Sequence, residues 1–147
     1  MRRSLDEKRV ERALLARLRG LGCYAAHIDC GVDGFTDLVV GFAGAVVLVE
    51  VKDTGRGLKV KDLFEDTQPV FYEAWCKTGG FVYVVIGGGD KASLWKIKKP
   101  FLYRIDKPGL LISDVAILEA QGSLNMIAQM IRPEPPLLAK IIPTMKV

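Results

Sequence analysis

The sequence of 147 residues lacks the residue patterns on which several common site types depend. It has one histidine and three cysteines, with no C-x-x-C pair. The spacing of Cys23, Cys30, Cys76 and His27 therefore does not support a soft-metal site. Because the number of cysteines is odd and no pairing pattern is present, we expect buried, reduced thiols.

Long hydrophobic segments are also missing. No apolar run reaches the roughly 20 residues that span a bilayer; the longest, residues 38–49, is interrupted by glycines and ends at Glu50. Four of the first seven residues are charged, with no apolar signal-peptide core behind them. Half of the residues are hydrophobic and 26% are charged, as in globular proteins. We expect a cytoplasmic protein with no membrane partner, and its length fits one domain with an appendage.

Charge is distributed unevenly along the chain. Residues 1–30 carry seven Lys and Arg against four Asp and Glu, residues 31–90 carry five against nine, and residues 91–147 carry nine against four. An acidic centre between basic ends suits a protein that holds a cation centrally and a polyanion around it. Ordinary solvated surface charge explains the same pattern equally well.

The hydrophobic periodicity predicts an α/β fold. Amphipathic helices are predicted at residues 5–19 and 69–77, and residues 35–40 and 45–52 are predicted to form an antiparallel hairpin. Further short strands are predicted at residues 23–28, 81–86, 94–97 and 101–105. Residues 53–66 have the composition of a mobile loop, and residues 113–131 have a helical tendency.

The strand at residues 45–52 ends with two charges that a buried strand normally excludes, because desolvating an unpaired charge is costly. Glu50 and Lys52 are two residues apart and therefore share a face. If Val40 pairs with Ala45 in the hairpin, Asp37 lies opposite Leu48, on that same face and diagonal to Glu50.

A hard divalent cation explains why these charges converge. Mg²⁺ takes oxygen ligands and keeps several waters, so Glu11, Asp37, Glu50 and the carbonyl of Val51 are the candidate ligands. Lys52 is placed to orient or deprotonate a water and to stabilise charge developing on a phosphate.

The order of these residues resembles that of a known nuclease superfamily. Asp37, followed after a short hairpin by Glu50-Val51-Lys52, is similar to the motif of PD-(D/E)XK nucleases. Glu11 is similar to the additional acidic residue of the VRR-NUC and archaeal-type Holliday-junction resolvase branches. Gln68 is similar to a glutamine that supports the VRR-NUC site and is a candidate catalytic residue together with Asp37, Glu50 and Lys52. The resemblance covers about residues 7–87.

The resemblance implies a restriction-endonuclease-like mixed β-sheet flanked by helices. It also implies Mg²⁺ or Mn²⁺ dependence, hydrolysis of phosphodiester bonds in branched or structured DNA, and a homodimer; viral, archaeal and bacterial origins all fit. The nuclease core would occupy residues 1–89. Residues 90–147, with strands, a helix and a Pro-rich tail, would form a C-terminal extension that packs on the core or forms an oligomer interface.

Several alternatives remain open. Glu7 competes with Glu11 as the helix ligand, and Pro69 places Gln68 at a helix cap. Five basic side chains are candidate contacts to DNA phosphates, although ordinary solvation is favoured for any single one: Arg2, Arg3, Arg56, Lys59 and Lys61. A non-catalytic DNA-binding or assembly module on a nuclease scaffold is the alternative function. A small structural protein whose apolar tail packs on a partner is a third reading.

Overall fold

One mixed β-sheet organises the chain in the computed structural model, which describes residues 5–29, 31, 34–88, 91–98, 107 and 109–133. The helices and strands, in chain order, are α1 (Leu5–Gly20), β1 (Tyr24–His27), β2 (Leu38–Phe42), β3 (Ala45–Asp53), α2 (Val60–Leu63), α3 (Thr67–Lys77), β4 (Val82–Gly88), β5 (Lys91–Ile97), β6 (Ile117–Ser123) and α4 (Leu124–Ile131). Short 3₁₀ turns occupy Thr54–Arg56 and Ile112–Asp114.

The strands follow one another across the sheet in sequence order, from β1 to β6. Among the described strands, β3 and β4 alone pair in parallel, with α2 and α3 in the connection between them, and the other neighbours are antiparallel. A helical crossover is what a parallel pair requires. The predicted mixed sheet flanked by helices is confirmed.

Each face of the sheet is covered by its own hydrophobic core. On the α1 face, Leu14 and Leu18 of α1 pack with Val49 and Val51 of β3, together with α4. On the α3 face, Tyr72 of α3 packs with residues of α2, β4 and β5. Because side chains alternate along a strand, the neighbours of Val49 and Val51 on β3 point to the α3 face.

The hairpin between β2 and β3 has a different register from the predicted one. Val40 pairs with Val47, not with Ala45. A two-residue turn accounts for the difference, since Ala43 (φ 51°) and Gly44 (φ 84°) both adopt the left-handed conformation of tight hairpin loops. The shift is two residues, so each side chain keeps its predicted face.

Two further predictions need correction. Residues 53–66 are not a mobile loop, because they form a 3₁₀ turn and α2 and bury Val60, Leu63 and Phe64. The helical tendency at residues 113–131 holds only for α4, because Ile117–Ser123 forms strand β6. The predicted strand at residues 101–105 lies outside the described residues.

The structure also bears on the other sequence predictions. Strands β5 and β6, beyond residue 89, continue the same sheet. Cys23 and Cys76 are buried free thiols, and burial raises the pKa of both; Cys30 is outside the described part. Among the helices of the described ranges, none is long and apolar enough to cross a membrane.

Candidate active site

The candidate site lies in a notch at the edge of β3, defined as the side of residues 50–53 that faces away from β4. Strand β2 begins at Leu38, opposite Val49, so in the described part of the chain no β2 residue pairs with the end of β3. The carboxylate of Asp37 occupies this gap, where its Oδ2 accepts a hydrogen bond of 2.8 Å from the amide of Val51. The backbone of the notch thus fixes Asp37 beside the end of β3.

Glu50 points from β3 to the α3 face, where two side chains of α3 donate hydrogen bonds to it. The carboxylate is 1% exposed. Its Oε2 accepts from Gln68 Nε2 at 2.7 Å and from the hydroxyl of Tyr72 at 3.2 Å. The Oε1 of Gln68 in turn accepts from Lys52 Nζ at 3.3 Å and from the amide of Glu65 at 3.0 Å. One amide therefore connects the strand's carboxylate to its ammonium group.

The electrostatics of the notch favour a bound positive charge. Burial raises the pKa of Glu50 well above its ordinary value, and the adjacent carboxyl of Asp37, within hydrogen-bonding range, raises it further. Lys52 and the hydroxyl of Tyr72 act in the opposite direction but are the smaller effects. Burial, followed by the charges of Glu50 and Asp37, raises the pKa of Tyr72. A carboxyl group next to another carboxyl is harder to ionise, and a bound cation would offset this effect.

Lys52 lies beside Glu50, where its Nζ donates a hydrogen bond to Gln68 of α3. It is 5% exposed, and its Nζ lies 5.9 Å from the centre of the Phe64 ring. Helix α3 begins at Thr67, so Gln68 lies inside its first turn and the prediction that Pro69 restricts it to a cap is wrong. Proline is tolerated there because amides of the first turn have no partner within the helix.

The two buried acidic residues of α1 each have a partner among the described residues. Glu11 is 7% exposed, and its Oε1 hydrogen-bonds His27 Nδ1 at 2.6 Å. Glu7 is 1% exposed; it pairs with Arg56 and accepts a 3.3 Å hydrogen bond from the amide of Asp53. The choice between Glu7 and Glu11 as the helix ligand therefore remains open.

In the part of the chain that the structure describes, the three predicted carboxylate ligands do not form one metal-binding group. Within the described ranges, no group of three or more His, Cys, Asp or Glu side chains is arranged to hold a metal ion. Asp37 and Glu50 are brought together, whereas Glu11 does not join them in such a group. Its assignment as a ligand stays a prediction.

The five candidate DNA contacts differ in their exposure and in their partners. Arg56 has a 12% exposed side chain that binds Glu7, and its Nη1 donates to the carbonyl of Asp62 at 3.5 Å. Lys59 and Lys61 are exposed beside and within α2. Arg2 and Arg3 are outside the described part of the chain. All five assignments stay predictions.

Sequence reasoning missed two residues that contact the candidate site residues. Tyr72 follows Gln68 by four positions, so the spacing of side chains on one helix face is a signal that could have found it. His27 had no such signal, because its contact with Glu11 depends on how α1 lies over β1.

The sequence and the structure were compared with those of known proteins. No protein-family model and no curated protein matches the sequence. A similar solved structure is that of Hjc, a Holliday junction resolvase from the archaeal hyperthermophile Archaeoglobus fulgidus. It is 18% identical, with a TM-score of 0.43, and the match covers 91% of this chain and 95% of that one.

Proposed function

We propose that this protein is a metal-dependent DNA endonuclease that hydrolyses phosphodiester bonds in branched or otherwise structured DNA. The observation that carries the proposal is the close pair formed by half-buried Asp37 and buried Glu50, with Lys52 linked to Glu50 through a single glutamine amide. A binding module has no need of carboxylates that repel phosphate. Their combination with a buried ammonium group is suited to hydrolysis at a phosphate.

The residues of the notch fit a divalent cation with oxygen ligands. Burial and the neighbouring carboxyl of Asp37 raise the pKa of Glu50, and a bound cation would favour its ionised form. Both carboxyls would bind Mg²⁺ or Mn²⁺ together with the carbonyl of Val51, and water would complete the shell, as Mg²⁺ commonly retains several waters. When bound, the metal lowers the pKa of a coordinated water and neutralises charge that develops on the phosphate.

The remaining roles belong to side chains already fixed by hydrogen bonds. Lys52 would orient the attacking water, accept or donate its proton, and stabilise the phosphate oxygens. Gln68 would hold Lys52 at a constant distance from Glu50, since its amide binds both. Tyr72 would fix the orientation of Glu50. Their rigid placement on β3 and α3 is the preorganisation that catalysis requires.

The preference for structured DNA and the homodimer are further parts of this proposal. Strand β6 lies at the edge of the sheet, and its Ile117 and Leu118 are 58% and 42% exposed. An edge strand presents backbone groups that a second copy can pair with, and a dimer could engage two strands of a branched substrate. Light scattering on the wild type and on Ile117→Lys tests this: the variant should have the lower mass, and equal masses would remove this edge from the proposal.

Cleavage assays test the central claim. We expect cutting of four-way, flap or linear DNA with Mg²⁺ or Mn²⁺, and none with EDTA. Glu50→Gln and Lys52→Met should each lose at least 100-fold in rate, as for groups that act on charge in the transition state. Lys77→Ala, which removes an exposed lysine paired with Glu73, is the matched control and should retain full activity.

Two results would contradict the proposal. One is the absence of cleavage of every substrate with either metal, and the other is undiminished cleavage by Glu50→Gln or Lys52→Met. DNA binding that depends on salt, ignores chelators and never leads to turnover would favour the non-catalytic module instead.

A further inference from the structure

The one histidine of the sequence makes a short contact with a buried carboxylate of α1. Nδ1 of His27, the last residue of β1, lies 2.6 Å from Oε1 of Glu11. A carboxylate accepts hydrogen bonds and does not donate them, so the imidazole is the donor. The side chain of Glu11 is 9% exposed and that of His27 is 47% exposed. The contact therefore joins a carboxylate inside the protein to a ring that reaches its surface.

The contact lies beside the notch, on the α1 face of the sheet. His27 pairs with Leu38, and Leu38 pairs with Val49, so the three residues form one row across β1, β2 and β3. Residues that lie opposite one another in neighbouring strands share a face, and Leu38 and Val49 belong to the core on the α1 face. The amide that follows His27, that of Ile28, donates to the carbonyl of Asp37 at 2.8 Å. His27 is therefore adjacent to the segment that carries the aspartate of the notch.

The path of α1 places Glu11 at the level of Val51. Glu7 accepts a hydrogen bond from the amide of Asp53, at the end of β3. Four residues of a helix advance about 6 Å, and two residues of a strand advance about 6.6 Å. Glu11 lies one turn further, in the direction of the row that contains His27, so it comes level with Val51.

At that level Val51 directs its backbone groups into the notch. Its amide donates to Asp37, and the N–H and C=O groups of one strand residue point to the same side of the strand. The carbonyl of Val51 therefore faces the notch as well. Glu11 borders the notch on the α1 face, and Glu50 borders it on the α3 face.

Glu7, the other candidate on α1, is bound by a permanent positive charge. Arg56 donates to its carboxylate through Nε and, at 3.2 Å, through Nη2. A guanidinium is always charged in proteins, so it repels a metal cation and competes with it for that carboxylate. Glu11 is held by an imidazole, which can donate from Nδ1 without carrying a charge. Of these two carboxylates, Glu11 is therefore better suited to a bound cation.

We infer that His27 is a positioning residue that holds the carboxylate of Glu11 at the border of the metal site. This inference rests on the proposed function and assigns Glu11, not Glu7, as the acidic residue that α1 contributes to it. In the described ranges Glu11 forms no metal-binding group with Asp37 and Glu50. Because Mg²⁺ commonly retains several waters, Glu11 acts on the ion through one of them. Loss of a residue that hydrogen-bonds such a carboxylate typically costs about 10–100-fold in metal affinity.

Metal binding measured without DNA tests the assignment separately from cleavage. Calorimetric titration with Mn²⁺ gives the affinity of the wild type, His27→Leu and His27→Asn. His27→Leu removes the donor and should weaken Mn²⁺ binding about tenfold. Asparagine carries an N–H group at the position of Nδ1, so His27→Asn should retain most of the wild-type affinity. Tyr24→Leu, which changes an exposed residue of the same strand, is the matched control and should retain the wild-type affinity.

Two further measurements separate positioning from a general structural effect. In the Glu11→Ala background, His27→Leu should cause no further loss of Mn²⁺ affinity, because the two side chains act as a unit. In the metal-free wild type, nitrogen NMR of the single histidine should show the proton on Nδ1, and Glu11→Ala should reduce the population of that tautomer.

Three results would overturn the positioning role and leave the proposed nuclease standing. They are an unchanged Mn²⁺ affinity in His27→Leu, an equal loss in His27→Asn, and losses that add in the double variant. If the wild type binds no Mn²⁺ at all, the inference and the metal-dependent nuclease fail together.

Discussion

Replacement of Arg56 by methionine should destabilise the protein strongly, because it removes a guanidinium that pairs with the buried carboxylate of Glu7. Glu7 is 1% exposed, and the Arg56 side chain is 12% exposed. The guanidinium binds Glu7 through Nε and, at 3.2 Å, through Nη2, and the amide of Asp53 donates to the same carboxylate. Methionine keeps much of the aliphatic length of arginine, so the lost interaction is mainly the charge.

The structure sets the size of the effect. Removal of one partner of a buried ion pair costs about 3–5 kcal/mol. The amide of Asp53 still donates to Glu7 in the variant, so we expect the lower end, about 3 kcal/mol. For a chain near 150 residues, each kcal/mol lowers Tm by about 2–4 °C. The Tm of Arg56→Met should therefore fall by about 6–12 °C.

A double-mutant cycle isolates the pair. Urea unfolding followed by circular dichroism should place Glu7→Gln between the wild type and Arg56→Met, because an arginine near the surface can turn toward water more easily than a buried carboxylate. The double variant should recover most of the loss, with a coupling energy of about 2 kcal/mol.

The opposite result would refute this reasoning. A Tm of Arg56→Met within 2 °C of the wild type, or a coupling energy near zero, would mean that the pair does not hold the end of β3 against α1. Reduced DNA affinity at unchanged stability would then support the role of Arg56 as a phosphate contact.

The remaining predictions concern the notch and one tight packing contact. In EDTA, the free energy of unfolding of the wild type should fall as pH rises above about 4.5, the ordinary pKa of a glutamate. Glu50 ionises there in the unfolded state, whereas in the folded state its raised pKa keeps it protonated to higher pH. Glu50→Gln should reduce this fall, as measured by urea titrations at pH 4 and pH 7. Tyr72→Phe removes a hydrogen bond to Glu50 that is worth about 1.5–3 kcal/mol, so single-turnover cleavage should slow by about tenfold or more. Gly34→Ala should cost about 2 kcal/mol or more in urea unfolding, because its Cβ would lie 2.2 Å from the carbonyl oxygen of Thr67. Gly44→Ala, with a similar positive φ but open space, should cost only about 1 kcal/mol.

Much of the fold follows from local patterns in the sequence. Apolar periodicity predicts the helix at residues 5–19, and the observed α1 ends one residue later. The hairpin follows from two apolar runs with a glycine-containing turn, but its register depends on Ala43 adopting positive φ. That conformation is uncommon for a residue with a Cβ, so nothing in the composition of the turn indicated a two-residue loop.

Strand β6 shows where local preference is overruled. Ile117–Ser123 contains leucine, glutamate and alanine, which favour helices in isolation. Strand β5 offers an open edge of unpaired backbone groups, and pairing with β6 satisfies them. The helix begins only at α4, where Ser123 caps it by accepting a 3.2 Å hydrogen bond from the amide of Met126. The competing edge belongs to the tertiary structure and cannot be recognised in residues 113–131 alone.

In the candidate site too, some residues can be predicted from local spacing, and the position of others depends on tertiary packing. Glu50 and Lys52 share a strand face and Gln68 lies on the adjoining helix, and spacing along each element is enough to predict which faces they occupy. The pairing of Glu7 with Arg56, 49 positions away in sequence, depends on where α1 rests on the sheet. Glu11, one turn further along α1, is carried toward His27 of β1 instead. Spacing therefore identifies the acidic residues, whereas the placement of one helix decides which of them holds the end of β3.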